Sequence, residues 1–442
     1  MAKPNIQGDL PGPKTKEIVD RDHRSVVRTT KTTDVAAESA QGWLVHDVDG
    51  NTFLDFTSGI GVTNTGHCHP KVVEAIQQQA GKLMHFAGTD FYYDAMPSYA
   101  ERLTGIAPVA QPSKVFYTQS GTESIEAAIK LTRHKSRRPL MLAFRGCFHG
   151  RTLGSLSLTS SKPVHRRHFQ PLLPGVYHAP YPDPYRNTWD IDGYLEPGEL
   201  TNRVLDHIEG MFESFLPPED LAACFVEPLQ GEGGYVTPPA DFLGRLKRLL
   251  EEHGVALVAD EVQSGFGRTG KMFACDHFNV KPDLICLAKG IASGMPMGAV
   301  VAREEYDFAT SGSHSNTYGG NLVCLAAANA TLDVLTEDGL VENAAKMGTY
   351  LREGLEDLQN QFPAIGDVRG MGLWQAIDLV KDPSTKEPDK KLRDHLVQDA
   401  YKRGLLVLPC GPSAIRLIPP LGIDTESIDA ALDVLTASFK SA

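Results

Sequence analysis

Two apolar, β-rich runs of this chain each lead to one charged residue. Asp260 ends the run 255–259, and Lys289 follows the run 284–288. Buried parallel strands that end in this way bring both side chains to one edge of a sheet, where open α/β sheets bind ligands. A buried lysine beside a buried carboxylate is costly unless a charged organic group lies between them, and pyridoxal phosphate (PLP) meets that description. We therefore expect Lys289 to hold the PLP aldehyde as a Schiff base and Asp260 to face the pyridine nitrogen.

A turn of small residues, Ser120, Gly121 and Thr122, joins a predicted strand to a predicted helix. Small residues there let backbone N–H groups approach an anion, and the helix dipole favours negative charge. The turn therefore predicts a phosphate site. Taken alone, the same pattern is more often an ordinary helix N-cap.

Other side chains could contact the same cofactor or its substrate. Phe148 and Arg151 follow the predicted strand 140–144, so the ring could stack on the cofactor while the guanidinium binds a substrate carboxylate. Gln263 could donate to the phenolic oxygen of the cofactor. Lys289, once displaced by the substrate amine, would serve as the base that moves the substrate proton.

A second pattern points to a different class of enzyme. Residues 265–270 (GFGRTG) match G-x-G-x-x-G after a predicted strand, which is typical of NAD-dependent dehydrogenases. However, residues 271–278 show no helix start, and no ribose-binding acid follows at the expected distance. The dehydrogenase is therefore a remote alternative, and a non-catalytic binding module of this fold is improbable because every cofactor position has a suitable residue.

Apolar runs alternate with helical patterns between residues 115 and 310, which predicts an α/β fold with a mainly parallel sheet. The predicted strands are 115–117, 140–144, 224–226, 255–259, 284–287 and 298–301. The proline-rich segment 180–189 (PYPDPYRNTW) is predicted to be a surface loop.

Three parts are expected along the chain. Residues 1–56 would form an N-terminal arm and a hairpin, turning at Asp49-Gly50, that joins the small domain. Residues 57–325 would form the large PLP-binding domain. Residues 326–442 would form a smaller C-terminal α+β domain.

Composition excludes several classes of function. The net charge of −12 provides no basic surface for nucleic acid, and no segment approaches the length of an apolar membrane span. Seven cysteines without a C-x-x-C pair favour a reducing compartment, so we expect a cytoplasmic protein. The neighbours His67, Cys68 and His69 lack a further ligand cluster, so a turn with a hydrogen-bonding histidine is favoured over a metal site.

The chain resembles the class III (subgroup II) PLP-dependent aminotransferases of fold type I over essentially its whole length. The resemblance rests on several motifs taken together: TNTGHCHPKV (63–72), SGTESIEAAIK (120–130), FHGRT (148–152), VEPLQGEGGYV (226–236), DEVQSGFGRTG (260–270), LAKGIASGMPMGAV (287–300) and NTYGGN (316–321). It is closest in kind to the 4-aminobutyrate and ornithine types. The segment after residue 180 also looks like an archaeal branch that contains ω-aminotransferases and broad-specificity amino-acid racemases.

The resemblance implies roles for the cofactor-binding residues and an oligomeric state. Lys289 would be the lysine that binds PLP, and contacts to the cofactor would come from Gly121, Thr122, Phe148, Asp260 and Gln263. The phosphate would also be held by Thr317 of the partner subunit. The active site is therefore expected to need a homodimer, and the dimers could pair further into a tetramer.

The same resemblance nominates substrate-binding residues. Arg151 and Arg416 would bind substrate carboxylates, with Glu227 placed to neutralise Arg416 when an uncharged side chain enters. Ile60 stands where ornithine-type enzymes tend to have tyrosine, which favours a 4-aminobutyrate-like donor. The implied reaction is amino transfer from an ω-amino acid or amine to a 2-oxo acid such as 2-oxoglutarate or pyruvate. A racemase is the alternative, and it needs a second acid, for which Glu232 is conceivable.

Overall fold

The computed structural model describes residues 3–442. Its strands are β1 (Ala37–Gln41), β2 (Leu44–Asp47), β3 (Thr52–Asp55), β4 (Ser113–Thr118), β5 (Leu140–Phe144), β6 (Val176–Ala179), β7 (Leu221–Val226), β8 (Ala256–Asp260), β9 (Leu284–Leu287), β10 (Gly298–Arg303), β11 (Ile365–Met371), β12 (Trp374–Leu379), β13 (Leu405–Leu406), β14 (Leu408–Cys410) and β15 (Ala414–Leu417). Its α-helices are α1 (Pro13–Ser25), α2 (Ser58–Gly61), α3 (Pro70–Lys82), α4 (Ala95–Ile106), α5 (Gly121–Ser136), α6 (Leu153–Leu158), α7 (Pro163–Arg166), α8 (Pro197–Ser214), α9 (Phe242–Glu252), α10 (Leu322–Glu337), α11 (Leu340–Gln361), α12 (Lys390–Lys402) and α13 (Thr425–Lys440). Short 3-10 turns cover Pro218–Asp220, Ala274–His277, Lys289–Ile291 and Glu304–Tyr306.

The large sheet has the strand order β4-β10-β9-β8-β7-β5-β6. Its pairs are parallel except that β10 runs antiparallel to both β4 and β9. The connection 288–297 explains this exception, because it contains one 3-10 turn and no helix, and a parallel return needs a longer crossover. The predicted α/β fold with a mainly parallel sheet is confirmed, and the edge strand β6 is an addition to it.

Helices bury apolar side chains against both faces of this sheet. On one face, α5 packs Ile125, Ile129 and Thr132 towards β9 and β10, in the spacing of one helical stripe. On the other face, α8 and α9 enclose a core with Phe144, Val226 and their neighbours on the central strands. Because both faces are covered, the central strands read as continuous apolar runs in the sequence.

Two smaller four-stranded sheets complete the fold. The predicted hairpin is present as β2 and β3, and β3 pairs in parallel with β13 of the C-terminal region. The second small sheet has the order β11-β12-β15-β14. Helix α10 packs on α3 and α4 and continues through residue 325, where the large domain was expected to end. The division into parts at residues 56 and 325 stays a prediction.

The segment 180–189 is a loop, but the prediction that it lies on the surface is wrong. Tyr181 and Tyr185 are buried, and Arg186 makes two hydrogen bonds to Asp378 on β12, at 2.7 and 2.9 Å. Proline prevents regular pairing, but it says nothing about exposure. The loop joins the large domain to the second small sheet.

No helix in the described part, residues 3–442, is long and apolar enough to cross a membrane.

Candidate active site

A cavity of about 680 Å³ lies at the edge of the large sheet where β8 and β9 end. Its lining includes the predicted site residues Ile60, Ser120, Gly121, Thr122, Phe148, Arg151, Glu227, Asp260, Gln263, Lys289 and Arg416. Thr317 is exposed and is not part of this lining. The fold therefore brings together in one cavity side chains that are far apart in the sequence.

Asp260, the last residue of β8, is buried and held by two hydrogen bonds. Its Oδ1 accepts from the backbone N–H of Val262 at 3.0 Å, and its Oδ2 is 2.7 Å from Nδ1 of His149. Burial alone would lower the pKa of His149, but Cys147 and Asp260 raise it well above the ordinary value. The imidazole is therefore positioned to donate to Asp260, and it fixes this side chain at the edge of the sheet where the pyridine nitrogen is expected.

His149 has no role in the sequence prediction, although it lies inside the motif FHGRT. Its position after an aromatic residue and before a glycine was the available signal. Only the fold shows that this imidazole reaches a carboxylate more than a hundred residues away.

Lys289 follows β9 directly and begins a 3-10 turn. Its backbone is in the left-handed region with φ +48°, a strained conformation for a lysine and one that is concentrated at functional sites. Burial, and after it the charge of Arg416, lowers the pKa of Lys289 to about 8. A larger fraction of this amine is therefore neutral near physiological pH, as a nucleophile or base must be.

The turn before α5 can hold the phosphate of a cofactor. Ser120 caps the helix by accepting from the backbone N–H of Glu123 at 3.4 Å, so the N-cap interpretation also holds. A Cβ added at Gly121 would lie 2.6 Å from a methyl group of Val262, so a larger residue would force this turn to shift. Thr122 Oγ1 lies 2.6 Å from Ser155 Oγ, which fixes a hydroxyl beside the helix terminus. An anion-binding turn, a buried carboxylate and a lysine of lowered pKa in one cavity fit PLP.

Gln263 is oriented by a tyrosine that the sequence prediction did not include. Its Oε1 accepts from the hydroxyl of Tyr235 at 2.8 Å, which leaves the amide nitrogen as the donor for a ligand. The ring of Tyr235 packs on Trp374 with centroids 3.8 Å apart, so the hydroxyl is rigidly placed. Tyr235 follows two glycines in the motif VEPLQGEGGYV, and nothing in that pattern distinguishes it from a core aromatic.

Arg416 on β15 is neutralised by a different carboxylate from the one predicted. Its Nη1 lies 3.3 Å from Glu232 Oε2, and the other oxygen of Glu232 lies 2.5 Å from Nζ of Lys162. Glu227 instead accepts from the backbone N–H groups of Phe148 and Gly231 at 2.9 and 3.0 Å. The predicted pairing of Glu227 with Arg416 is therefore wrong, because the backbone between the two glutamates turns and aims only the second one at β15.

Glu227 still lines the cavity and is chemically unusual. Burial, with a further contribution from the charge of Asp260, raises its pKa to about 8, although His149 acts in the opposite direction. Arg151, also in the lining, places its guanidinium carbon 5.5 Å from the centre of the Phe148 ring. This contact holds a cation above the aromatic side chain that was predicted to stack on the cofactor.

Ile60 reaches the cavity from an unusual turn. Ser58, Gly59, Ile60 and Gly61 all have φ between +46° and +72°, and a left-handed conformation is a true outlier for a β-branched residue. The turn is held from beneath by Arg268, which is fully buried and donates to Asn64 Oδ1 at 2.9 Å. The backbone of this turn is therefore strained, and the Ile60 side chain that it carries lines the cavity.

Arg268 also explains the glycine-rich motif at residues 265–270. The motif forms a buried turn that is followed by a 3-10 turn at Ala274–His277, with no long helix to present its N-terminus to a pyrophosphate. The remote dehydrogenase alternative is therefore wrong.

The histidines at 67 and 69 do not form a metal centre. His67 Nε2 lies 2.7 Å from Asp55 Oδ2, so this histidine takes part in a hydrogen bond, as the sequence favoured. Within residues 3–442, no group of three or more His, Cys, Asp or Glu side chains is arranged to hold a metal ion.

Comparisons with known proteins agree with this geometry. The family model described as "Aminotransferase class-III" matches residues 26–439, so the chain belongs to that family. It is 40% identical to the alanine/serine racemase of Pyrococcus horikoshii, over 100% of this chain and 93% of the relative. It is 37% identical to the 4-aminobutyrate aminotransferase of Escherichia coli (strain K12), over 97% and 99%. A crystal structure of an amine transaminase from an uncultivated Pseudomonas species, in a PLP-bound form, superposes with a TM-score of 0.87 at 31% identity, covering 99% and 98%.

The sequence-based prediction of a class III, PLP-dependent aminotransferase of fold type I is thereby confirmed. The roles of individual site residues stay predictions that the cavity geometry supports.

Proposed function

We propose that the protein transfers an amino group from an ω-amino acid or amine, 4-aminobutyrate-like, to a 2-oxo acid such as 2-oxoglutarate or pyruvate. The main observation in support of this proposal is that two arginines, Arg151 and Arg416, line the same cavity as Lys289. Glu232 neutralises Arg416 when no second carboxylate is present. A site with these properties accepts a carboxylate at either end, which alternating donors and acceptors require.

When bound, PLP supplies an electron sink for the substrate carbon. The residues of the chain do the rest. Lys289 removes and returns the substrate proton, and its lowered pKa suits this at neutral pH. Asp260, held in place by His149, would hold a proton at the pyridine nitrogen, and Gln263 would donate to the phenolic oxygen. Arg151 fixes the substrate carboxylate, and Ile60 contacts the substrate side chain.

The proposal includes a homodimer with shared sites. Exposed apolar side chains cluster beside Thr317: Met84, Phe86, Phe91, Tyr92 and Tyr318. Two hydrogen bonds tie these segments together, from Asn321 Nδ2 to Met84 O and from Tyr93 OH to Gly320 O. A second copy would cover this surface and bring Thr317 of the partner subunit to the phosphate, and the dimers could pair into a tetramer. A monomer in analytical ultracentrifugation would contradict the dimer.

Seven free cysteines support the cytoplasm as the compartment.

Racemisation is the second candidate, because a racemase is among the relatives of this chain. A racemase returns the proton from the face opposite Lys289 and needs a second acid there. Glu232 suits that role poorly: burial alone would raise its pKa, but Arg416 and Lys162 lower it, so the side chain holds no proton to donate. Incubation of the holoenzyme with one enantiomer of alanine or leucine, without an oxo acid, decides the question. Repeated inversion would establish a racemase, whereas stoichiometric conversion of the cofactor to its amine form, reversed by an oxo acid, would establish amino transfer.

Replacement of Arg416 by alanine tests the site assignment. The KM for a dicarboxylic 2-oxo acid such as 2-oxoglutarate should rise markedly more than that for a simple amine, because only the dicarboxylate places a carboxylate there. An unchanged KM for the acceptor would contradict the assignment.

A further inference from the structure

Three charged side chains of the cavity form a row of ion pairs across two parts of the fold. Lys162 immediately precedes α7, Glu232 lies in the turn bounded by Gln230 and Val236, and Arg416 lies on β15. Each oxygen of Glu232 serves one cation: Oε1 is 2.5 Å from Lys162 Nζ, and Oε2 is 3.3 Å from Arg416 Nη1. One carboxylate is therefore shared by two cations, and the shorter contact is the one to lysine.

This row has an excess of one positive charge. Although burial alone would raise the pKa of Glu232, Arg416 and Lys162 lower it, so the glutamate is ionised. Arg416 also has an unused donor, because its buried Nε has no hydrogen-bond partner. A further carboxylate would therefore find a net positive charge at Arg416.

Glu232 and that further carboxylate cannot share Arg416 at no cost, because like charges repel in a partly buried site. The side chain of Glu232 can move without its backbone. Its carbonyl accepts from Gly411 N at 2.9 Å, and the same turn is held by Arg369, which donates to Gly234 O at 2.7 and 2.9 Å. Only the contact from Glu232 to Arg416 has to break.

We propose that Lys162 is a specificity-determining positioning residue, which retains Glu232 when the second carboxylate of a dicarboxylate substrate takes Arg416. This rests on the proposed function, since it explains how one site accepts both charged and uncharged side chains. With Lys162 present, the opened row contains two cations and two carboxylates, and each carboxylate has a partner. Without Lys162, the displaced Glu232 would be left unpaired, so breaking its contact with Arg416 becomes costly. Only dicarboxylates require this contact to break.

The test measures equilibrium binding of unreactive acids to the holoenzyme by calorimetry, so it needs no turnover. Glutarate represents a dicarboxylate and butyrate a monocarboxylate. The substitution Lys162→Met keeps most of the apolar stem of the side chain and removes its charge. We expect the Kd of glutarate to rise about tenfold, which corresponds to 1.4 kcal/mol, while the Kd of butyrate changes by less than about twofold. Lys162→Arg should restore glutarate binding.

A second background shows whether lysine acts through glutamate. In Glu232→Gln, the substitution Lys162→Met should change the Kd of glutarate by no more than about twofold, because no displaced carboxylate remains to be retained. An equal loss in both backgrounds would overturn the proposal and show that Lys162 binds the ligand itself. An unchanged Kd of glutarate in the single variant, or an equal loss for butyrate, would also overturn it. Absence of amino transfer would refute the proposed function alone, since binding is measured without it.

Discussion

The turn that carries Glu232 depends on one buried arginine, and its removal should affect both stability and substrate binding. Arg369 on β11 pairs with Asp367 at 2.8 Å and with Asp378 at 2.6 Å, and it also donates to the carbonyl of Gly234. Its side chain is only 6% exposed. We predict that Arg369→Met, which keeps the apolar stem, weakens the contact between this turn and the second small sheet.

The magnitude follows from what each partner keeps. Asp378 retains Arg186 and the hydroxyl of Ser413, whereas Gly234 O loses both side-chain donors. Removal of one partner from a buried ion pair costs about 3–5 kcal/mol. Burial alone would raise the pKa of Asp378, but Arg369 and Arg186 lower it from 3.8 to about 2, which corresponds to about 2 kcal/mol. Since the pKa is lower in the folded state, this contribution is complete above pH 3.8 and is lost as the pH falls towards 2.

The assay is urea unfolding of the holoenzyme at pH 7, followed by tryptophan fluorescence, to which Trp374 contributes from its buried position in the neighbouring strand. Arg186→Met is the matched control, because it removes the other arginine that pairs with Asp378. The Arg186 side chain is 21% exposed and does not contact Gly234. We expect the control to lose about 1–2 kcal/mol in its free energy of unfolding. The KM for dicarboxylates should rise only in the Arg369 variant. Equal losses in stability and KM for both variants would refute the reasoning.

Three further predictions concern the cofactor-binding residues. Because burial lowers the pKa of Lys289 to about 8, the rate at which apoenzyme captures PLP should rise with pH, with the midpoint of the rise near pH 8. A midpoint near the ordinary lysine pKa of 10.5 would contradict this prediction. Lys289→Ala should leave no cofactor attached after borohydride reduction, as read by mass spectrometry. Gly121→Ala should weaken PLP binding by about tenfold, because the new methyl group meets Val262, whereas Gly81→Ala on α3 meets no atom within 4 Å and should not change it. Similar PLP affinities for the two alanine variants would show that the turn does not hold the phosphate.

The sequence was sufficient for features that depend on local pattern. The apolar runs identified the central strands, because strands covered on both faces cannot be polar on either. Asp260 and Lys289 could be placed together because each ends a parallel strand, and the carboxyl ends of such strands share one edge. The small residues at the start of α5 could be assigned to an anion because they let backbone N–H groups approach it at a helix N-terminus.

Features that depend on contacts between distant segments were beyond the sequence. Composition could not show that the loop 180–189 is buried, because burial depends on Asp378, which is nearly two hundred residues away. The resemblance named only Glu227 as the partner of Arg416, and the structure shows that Glu232 takes that place. His149 could not be found either, because its function lies in one hydrogen bond to Asp260.

The residues that the sequence missed share one property: they act through a residue that the sequence found. His149 acts on Asp260, Tyr235 on Gln263, and Lys162 on Glu232 and through it on Arg416. The residues that the sequence predicted are proposed to touch the cofactor or the substrate, and such contacts would set the reaction class. The supporting residues set protonation, orientation and charge balance, and these determine which substrates a given member accepts. The charge balance around Arg416 is therefore where this chain should differ from relatives that use the same lysine for a different outcome.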